Sequence, residues 1–195
     1  MSKQTILGLD PGSKNFAATV IRFDAKSVHK VRIVRTKMIK NTLQHMRGNS
    51  RPQLVKYANE LRELMKVDAL VAERYMARGV SRSTTGETVG IMIGLLFPMH
   101  RDVTLVPAAL WKNAVNRVFE LDLFYKCCSV PPHIVDSTLL AAWHAQMRAG
   151  LKPFAGWSIR DLYSIGRQLG RQYRGHKRNI RDIKRFTAEL KKSFR

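Results

Sequence analysis

The sequence predicts an α/β protein, and three features support that prediction. Two short apolar runs near the N-terminus, residues 6–9 and 16–21, flank a Pro-Gly-Ser turn, which is typical of a β-hairpin. A short continuous apolar run at residues 69–72 has the length and composition of a strand buried on both faces. Apolar residues at helical spacing separate the later strands, so helical crossovers should join them in parallel.

The next elements follow from local patterns. Residues 31–39 alternate apolar and basic side chains, which predicts a third strand with one solvated face. Residues 41–51 are polar and lack periodicity, so we expect a loop. Pro52 then begins a helix whose apolar residues recur every three to four positions.

A second predicted helix, residues 87–100, is almost wholly apolar, and Thr84 with Glu87 fits a capping box at its start. Gly90 and Gly94 lie on one side of it. Such a helix should be buried, either on the sheet or against a partner subunit. Residues 103–106 form a fifth short strand, and Pro107 begins the helix that follows.

Residues 121–130 fit a helix or a strand equally well, and residues 133–147 form the last helix of the core. We therefore expect one domain over residues 1–149. Residues 150–195 form a basic extension with two amphipathic helices, 159–173 and 180–194, hinged at Gly175. The extension could grip DNA, or its charges could simply be a solvated face.

The charge of the chain points to a polyanionic partner. Its 195 residues include 35 lysines and arginines against 14 acids, a net charge of +21 and a pI near 10.7, which favours nucleic acid. No apolar stretch is long enough to span a membrane, and the N-terminus leads straight into a strand. The adjacent Cys127 and Cys128 suit neither a disulfide framework nor a zinc site, so we expect a reducing, cytoplasmic location and no secretion.

Two acids lie at the ends of apolar strands. Asp10 follows the first run, where it could bind a cation or merely begin the turn, and Glu73 ends the buried run, where it could pair with Arg74 or Arg78. His133 and Asp136 stand three apart, and therefore on one face of a helix.

These four residues are candidate ligands for two divalent metal ions. Oxygen ligands from strand and helix ends bind Mg²⁺ or Mn²⁺, and two ions about 3.5–4 Å apart can clamp both the attacking water and the leaving oxygen of a phosphodiester. Because an imidazole suits Mn²⁺ better than Mg²⁺, we expect Mn²⁺ to support activity at least as well. No small-molecule cofactor is expected.

The segment 6–22, ILGLDPGSKNFAATVIR, resembles the opening of RuvC-type Holliday junction resolvases. Glu73, His133 and Asp136 follow in the order of that family's motifs, and the resemblance covers about residues 3–149. It implies an RNase H-like fold, a five-stranded mixed sheet flanked by helices. It also implies that these three residues and Asp10 bind the metal, and that Lys112 lies near the scissile phosphate. By the same resemblance, Tyr75 or Met76 wedges into the junction. Tyr75 could equally be a core aromatic. The basic extension has no counterpart in the bacterial enzymes, which fits a phage-type member.

The resemblance implies a homodimeric endonuclease that resolves four-way DNA junctions by paired symmetric nicks. Its catalytic residues would be Asp10, Glu73, His133, Asp136 and Lys112. The residues expected to contact DNA are Lys14, Arg74, Tyr75, Met76, Arg78, Arg82, Lys112, Arg174, Lys177 and Arg178. Two alternatives stay open: another RNase H-like nuclease acting on branched DNA, flaps or RNA/DNA hybrids, and a non-catalytic nucleic-acid-binding protein.

Overall fold

Five strands form one sheet in the part of the chain that the computed structural model describes, residues 3–12, 15–24, 30–40, 51–74, 84–128, 130–173 and 188. The strands are β1 (Gln4–Asp10), β2 (Asn15–Phe23), β3 (Val31–Lys40), β4 (Ala69–Arg74) and β5 (Val103–Pro107). The helices are α1 (Arg51–Arg62), α2 (Thr84–Gly94), α3 (Ala108–Asn116), α4 (Leu121–Cys128), α5 (Pro132–Arg148) and α6 (Ile159–Gln172). No helix among the described residues is both long and apolar enough to cross a membrane.

The sheet has the order β3-β2-β1-β4-β5. β1 pairs antiparallel with β2, and β2 with β3, whereas β4 runs parallel to both β1 and β5. The predicted α/β class, the five strands and the parallel arrangement of the later strands are confirmed. The helical crossovers place helices on both faces, as the continuous apolar runs of β1 and β4 require.

Helix α5 packs closely on the sheet, and this packing fixes the position of its N-terminal turn. Residues 134–146 are all buried, and the helix packs on β1 and β2. A Cβ atom on Gly8 would lie 2.0 Å from the carbonyl oxygen of Ser137, so only glycine at this position lets the helix approach β1 so closely. The buried hydroxyls at the contact satisfy one another, since Thr19 Oγ1 lies 2.8 Å from Ser137 Oγ and 3.1 Å from Thr138 Oγ1.

Helices α1 and α2 cover the opposite face of the sheet. Leu7, Leu9 and Leu70 pack there against Tyr57 and Met92, among other residues. The Tyr57 hydroxyl donates a 3.3 Å hydrogen bond to the Met92 carbonyl oxygen, which ties the two helices together.

The segment after α5 packs on the core within the described residues. Buried side chains there join the same apolar cluster as α5, namely Phe154, Trp157, Leu162, Ile165 and Leu169. On α6, the Gln168 side-chain amide accepts a 2.8 Å bond from the Ile33 N–H and donates a 3.1 Å bond to the Val31 carbonyl. This amide therefore caps the backbone of the edge strand β3. The domain boundary after residue 149 stays a prediction.

Two local expectations are resolved by the described structure. The ambiguous stretch at residues 121–130 is largely helical, as α4. The apolar helix predicted to reach residue 100 ends at Gly94 and continues as turns. Three other predictions lie outside what the structure describes: the second helix of the extension, the hinge at Gly175, and the side-chain capping by Thr84 and Glu87.

Candidate active site

Strand register brings two of the predicted acids to the same edge of the sheet. β1 and β4 are parallel with Leu9 opposite Ala72, so Asp10 and Glu73 are the next positions along neighbouring strands. Side chains at equivalent positions of paired strands point to the same face. That face is covered by α5, whose N-terminal turn supplies His133 and Asp136, and by α3, which supplies Lys112.

Asp10 is paired with His133. The carboxylate is 7% exposed, and His133 Nδ1 lies 2.6 Å from Asp10 Oδ2. The hydrogen bond that His133 donates to Asp10 raises the pKa of His133, although burial opposes the charged imidazolium. An imidazolium paired with a carboxylate offsets the cost of burying Asp10 at the end of an apolar strand.

Lys112 links the other two acids. Its ammonium nitrogen lies 2.8 Å from Asp136 Oδ2 and 3.9 Å from Glu73 Oε2. Burial disfavours the charged ammonium, but the attraction of Asp136, together with Glu73 and Asp10, outweighs burial and raises the pKa of Lys112. The lysine therefore lies protonated between the two carboxylates.

Each of these two acids also accepts a hydrogen bond from an aromatic side chain. Trp111 Nε1 donates to Glu73 Oε2 over 3.0 Å, and the Tyr125 hydroxyl donates to Asp136 Oδ1. Burial raises the pKa of both carboxyls. The nearby Asp10 carboxylate also raises the pKa of Glu73, while Lys112 lowers the pKa of each, so the five charged groups form one coupled network.

The chemistry of the donor set suits Mg²⁺ or Mn²⁺, which prefer carboxylate oxygen and accept an imidazole in the case of Mn²⁺. As the side chains stand, however, no three histidine, cysteine, aspartate or glutamate residues of the described chain surround one point closely enough to hold a metal ion. Asp10 is engaged by His133, and Glu73 and Asp136 are engaged by Lys112. The structure thus brings the four predicted ligands and Lys112 into one network, and their role as metal ligands stays a prediction.

Sequence reasoning did not identify two of the residues that organise this network. Tyr125 lies in the stretch that was ambiguous between helix and strand, and no local pattern signals its contact with Asp136, eleven residues further along the chain. Trp111 directly precedes Lys112 in the sequence. A tryptophan beside the expected basic residue could have indicated a buried donor, because a buried indole N–H needs an acceptor.

Of the residues predicted to contact DNA, the described part of the chain contains Lys112 and Arg74. Arg74 ends β4, one position beyond Glu73, and is exposed. The remaining predicted contacts lie outside the described residues: Lys14, Tyr75, Met76, Arg78, Arg82, Arg174, Lys177 and Arg178.

Comparison with known proteins identifies the fold. No protein-family model matches the chain, and no curated protein is detectably similar in sequence. Thermus thermophilus RuvC in complex with a Holliday junction substrate superposes with a TM-score of 0.60 at 15% identity, covering 75% of this chain and 96% of that one. A second structure of Thermus thermophilus RuvC superposes with a TM-score of 0.59 at 15% identity, covering 76% of this chain and 98% of that one.

A yeast mitochondrial Holliday junction resolvase gives a TM-score of 0.50 at 16% identity, with 86% of each chain covered. At these identities the likeness establishes the fold, so the protein has the RNase H-like fold of RuvC, and the predicted resemblance is confirmed at that level.

Proposed function

We propose that this protein is a structure-selective endonuclease that resolves four-way DNA junctions by paired symmetric nicks, leaving 5′-phosphate and 3′-hydroxyl ends. The observation that supports it most is the convergence of Asp10, Glu73 and Asp136 at one edge of an RNase H-like sheet, with His133 and Lys112 among them. Three carboxylates this close together need cations beside them, and His133 and Lys112 meet that need here; such clusters of charged groups are typical of functional sites.

Two divalent ions, Mg²⁺ or Mn²⁺, would polarise the phosphate and lower the pKa of the attacking water. Asp10, Glu73 and Asp136 would hold the ions through their carboxylate oxygens, and His133 would complete the ligand set and orient the attacking water. Because Lys112 lies between Glu73 and Asp136, it must turn away when the ions bind. Its flexible stem allows this, and the released ammonium can then neutralise the scissile phosphate.

We infer that two copies of the chain act together, since a four-way junction has two-fold symmetry and needs two cuts. An exposed apolar surface on α2 and on the turn after it supports this part of the proposal. Ile91 is 43% exposed and Phe97 is 53% exposed, and a Cβ on Gly90 or Gly94 would meet nothing within 4 Å. An apolar helix face of this kind suits packing against a second copy.

The dimer is tested by light scattering with size-exclusion chromatography. Ile91→Glu and Phe97→Glu should each convert a dimer to a monomer, because a carboxylate would be desolvated in the interface. Val55→Glu is the matched control, since Val55 is 51% exposed on α1 and should leave the dimer intact. A wild-type monomer at micromolar concentration would contradict this part of the proposal.

DNA contacts in the proposal are to phosphates, without reading of sequence. The net charge of +21 supports them, as does the exposed Arg74 at the rim of the site. The basic residues predicted near the site, Lys14, Arg78 and Arg82, and those of the extension, Arg174, Lys177 and Arg178, would add further phosphate contacts. Tyr75 or Met76 would wedge into the junction.

The activity is tested with a synthetic four-way junction, a linear duplex and an RNA/DNA hybrid, each with Mg²⁺, Mn²⁺ or a chelator. We expect cleavage of the junction with either metal and none with the chelator. Asp10→Asn should abolish cutting while junction binding persists. The exposed Glu120, directly before α4, supplies the control variant Glu120→Gln, which should cut normally. Preferred cleavage of the hybrid would instead support another RNase H-like nuclease, and metal-independent binding without cleavage would support a binding protein.

A further inference from the structure

The contact between Tyr125 and Asp136 suggests a role for a tyrosine that no sequence motif identifies. The Tyr125 hydroxyl donates to Asp136 Oδ1, while the opposite oxygen, Oδ2, accepts from Lys112 and faces Glu73 across that ammonium. The two donors therefore hold the two edges of one carboxylate. We propose that Tyr125 is a positioning residue that fixes Asp136 with its Oδ2 edge toward the catalytic cluster; this inference rests on the proposed function.

A carboxylate needs such a partner because the rotation of its terminal group is only weakly restricted by its own covalent structure. Asp136 is 6% exposed, so water reaches it poorly and the orientation depends on protein donors. Each carboxylate oxygen offers two lone pairs, so accepting one bond from Tyr125 leaves Oδ1 able to accept a second. The tyrosine can thus hold Asp136 without consuming its capacity to bind a cation.

Tyr125 and Lys112 differ in how firmly they are held. Lys112 has a flexible four-carbon stem and is about one-third exposed at its side chain. Tyr125 has only two side-chain torsions, lies on α4, and packs against the main apolar cluster. When Lys112 leaves Asp136 in the proposed reaction, Tyr125 remains as the donor that keeps the carboxylate oriented.

The same arrangement recurs at the other acid that Lys112 contacts. Trp111 is fully buried, and its ring nitrogen donates to Glu73 Oε2 over 3.0 Å. Each of the two carboxylates therefore has one rigid aromatic donor of its own and shares one mobile ammonium. This pairing supports a positioning role, because donors that orient a ligating carboxylate act from the layer just behind it.

The test compares Tyr125→Phe, which keeps the ring, with the wild-type full-length chain. Calorimetric titration with Mn²⁺ should show roughly 10- to 100-fold weaker binding, the usual effect of losing a donor that orients a metal ligand. The kcat for junction cleavage should fall by a similar factor, while KM and junction binding in chelator stay unchanged. The matched control is Tyr57→Phe, which removes a buried tyrosine hydroxyl bond on the far side of the sheet and should leave Mn²⁺ affinity intact.

A second measurement separates positioning through Asp136 from a general structural effect. In an Asp136→Asn background, Tyr125→Phe should weaken Mn²⁺ binding no further, and a further tenfold loss there would overturn the inference. A Tyr125→Phe variant that binds Mn²⁺ as tightly as the wild type would also overturn the inference. If that variant still cleaves the junction, the proposed function is not affected. Failure of the wild type to bind Mn²⁺ would instead refute the proposed function itself, and the inference with it.

Discussion

Replacing Gly8 by alanine should destabilise the protein, because this position sets the distance between β1 and α5. A Cβ there would lie 2.0 Å from the Ser137 carbonyl oxygen and 2.8 Å from the Ala141 Cβ, whereas ordinary contacts begin at 3.4 Å. The helix would have to move by about 1.4 Å at Ser137. Both neighbours are buried and belong to one helix, so no flexible side chain can absorb the clash.

Overpacking of this kind costs about 3 kcal/mol. For a chain of this length the loss should lower the melting temperature by roughly 6–12 °C. Because α5 also supplies His133 and Asp136, junction cleavage should fall even at temperatures where the variant is folded. Thermal unfolding followed by circular dichroism measures the first effect, and a cleavage assay at 20 °C below the midpoint measures the second.

Gly170→Ala is the matched control. Gly170 lies in α6, and a Cβ there would meet nothing within 4 Å, so the change should stabilise the protein by up to ~1 kcal/mol through helix propensity. If Gly8→Ala melts at the wild-type temperature, α5 does not pack on β1 as closely as described, and His133 and Asp136 are not held beside Asp10 by that packing.

Three further predictions follow from particular contacts. Lys112→Met should reduce the cleavage rate by about 100-fold or more, while the affinity for the junction stays within a few-fold of the wild type. The control Lys126→Met, on the exposed side of α4, should cleave normally. If Lys112→Met and Lys126→Met cleave at equal rates, Lys112 takes no part in the reaction. Arg22 and Arg32 lie directly opposite each other in the β2–β3 pair and repel each other. Arg32→Glu should therefore raise the free energy of unfolding in urea by about 0.5–1 kcal/mol, and by less at 0.5 M salt. A loss of stability would refute the repulsion. Burial lowers the pKa of His144 to about 4, below its unfolded value, so the unfolded chain gains a proton first as the pH falls. Stability should therefore drop by about 2 kcal/mol between pH 7 and pH 5, and a His144→Gln variant that loses just as much would contradict this assignment.

The fold class could be predicted from the sequence because each strand has a recognisable local pattern of apolar residues. The apolar runs of β1 and β4 are too short for helices and are bounded by turn residues or acids, and the helical spacing between strands requires parallel pairing. The same logic found Asp10 and Glu73, since an acid that ends a buried strand is unusual whatever the rest of the chain does.

What sequence reasoning missed depends on contacts between distant residues. Two hydrogen bonds form only when α3, α4 and α5 pack together over the sheet: the bond from Tyr125 to Asp136 and the bond from Trp111 to Glu73. No periodic pattern in the sequence predicts that packing. Lys112 was expected near a phosphate, but its position between two carboxylates follows from its stem length and their shared burial. The packing of residues 154–169 on the core was likewise hidden by the positive charge of the segment.

The most direct test of the proposed function maps the cuts in a four-way junction with each strand labelled in turn, in Mn²⁺. We expect two nicks at symmetry-related positions in opposing strands, with ends that DNA ligase can reseal, and none with Asp136→Asn. Cuts scattered over all four strands, or cutting that persists in Asp136→Asn, would contradict it.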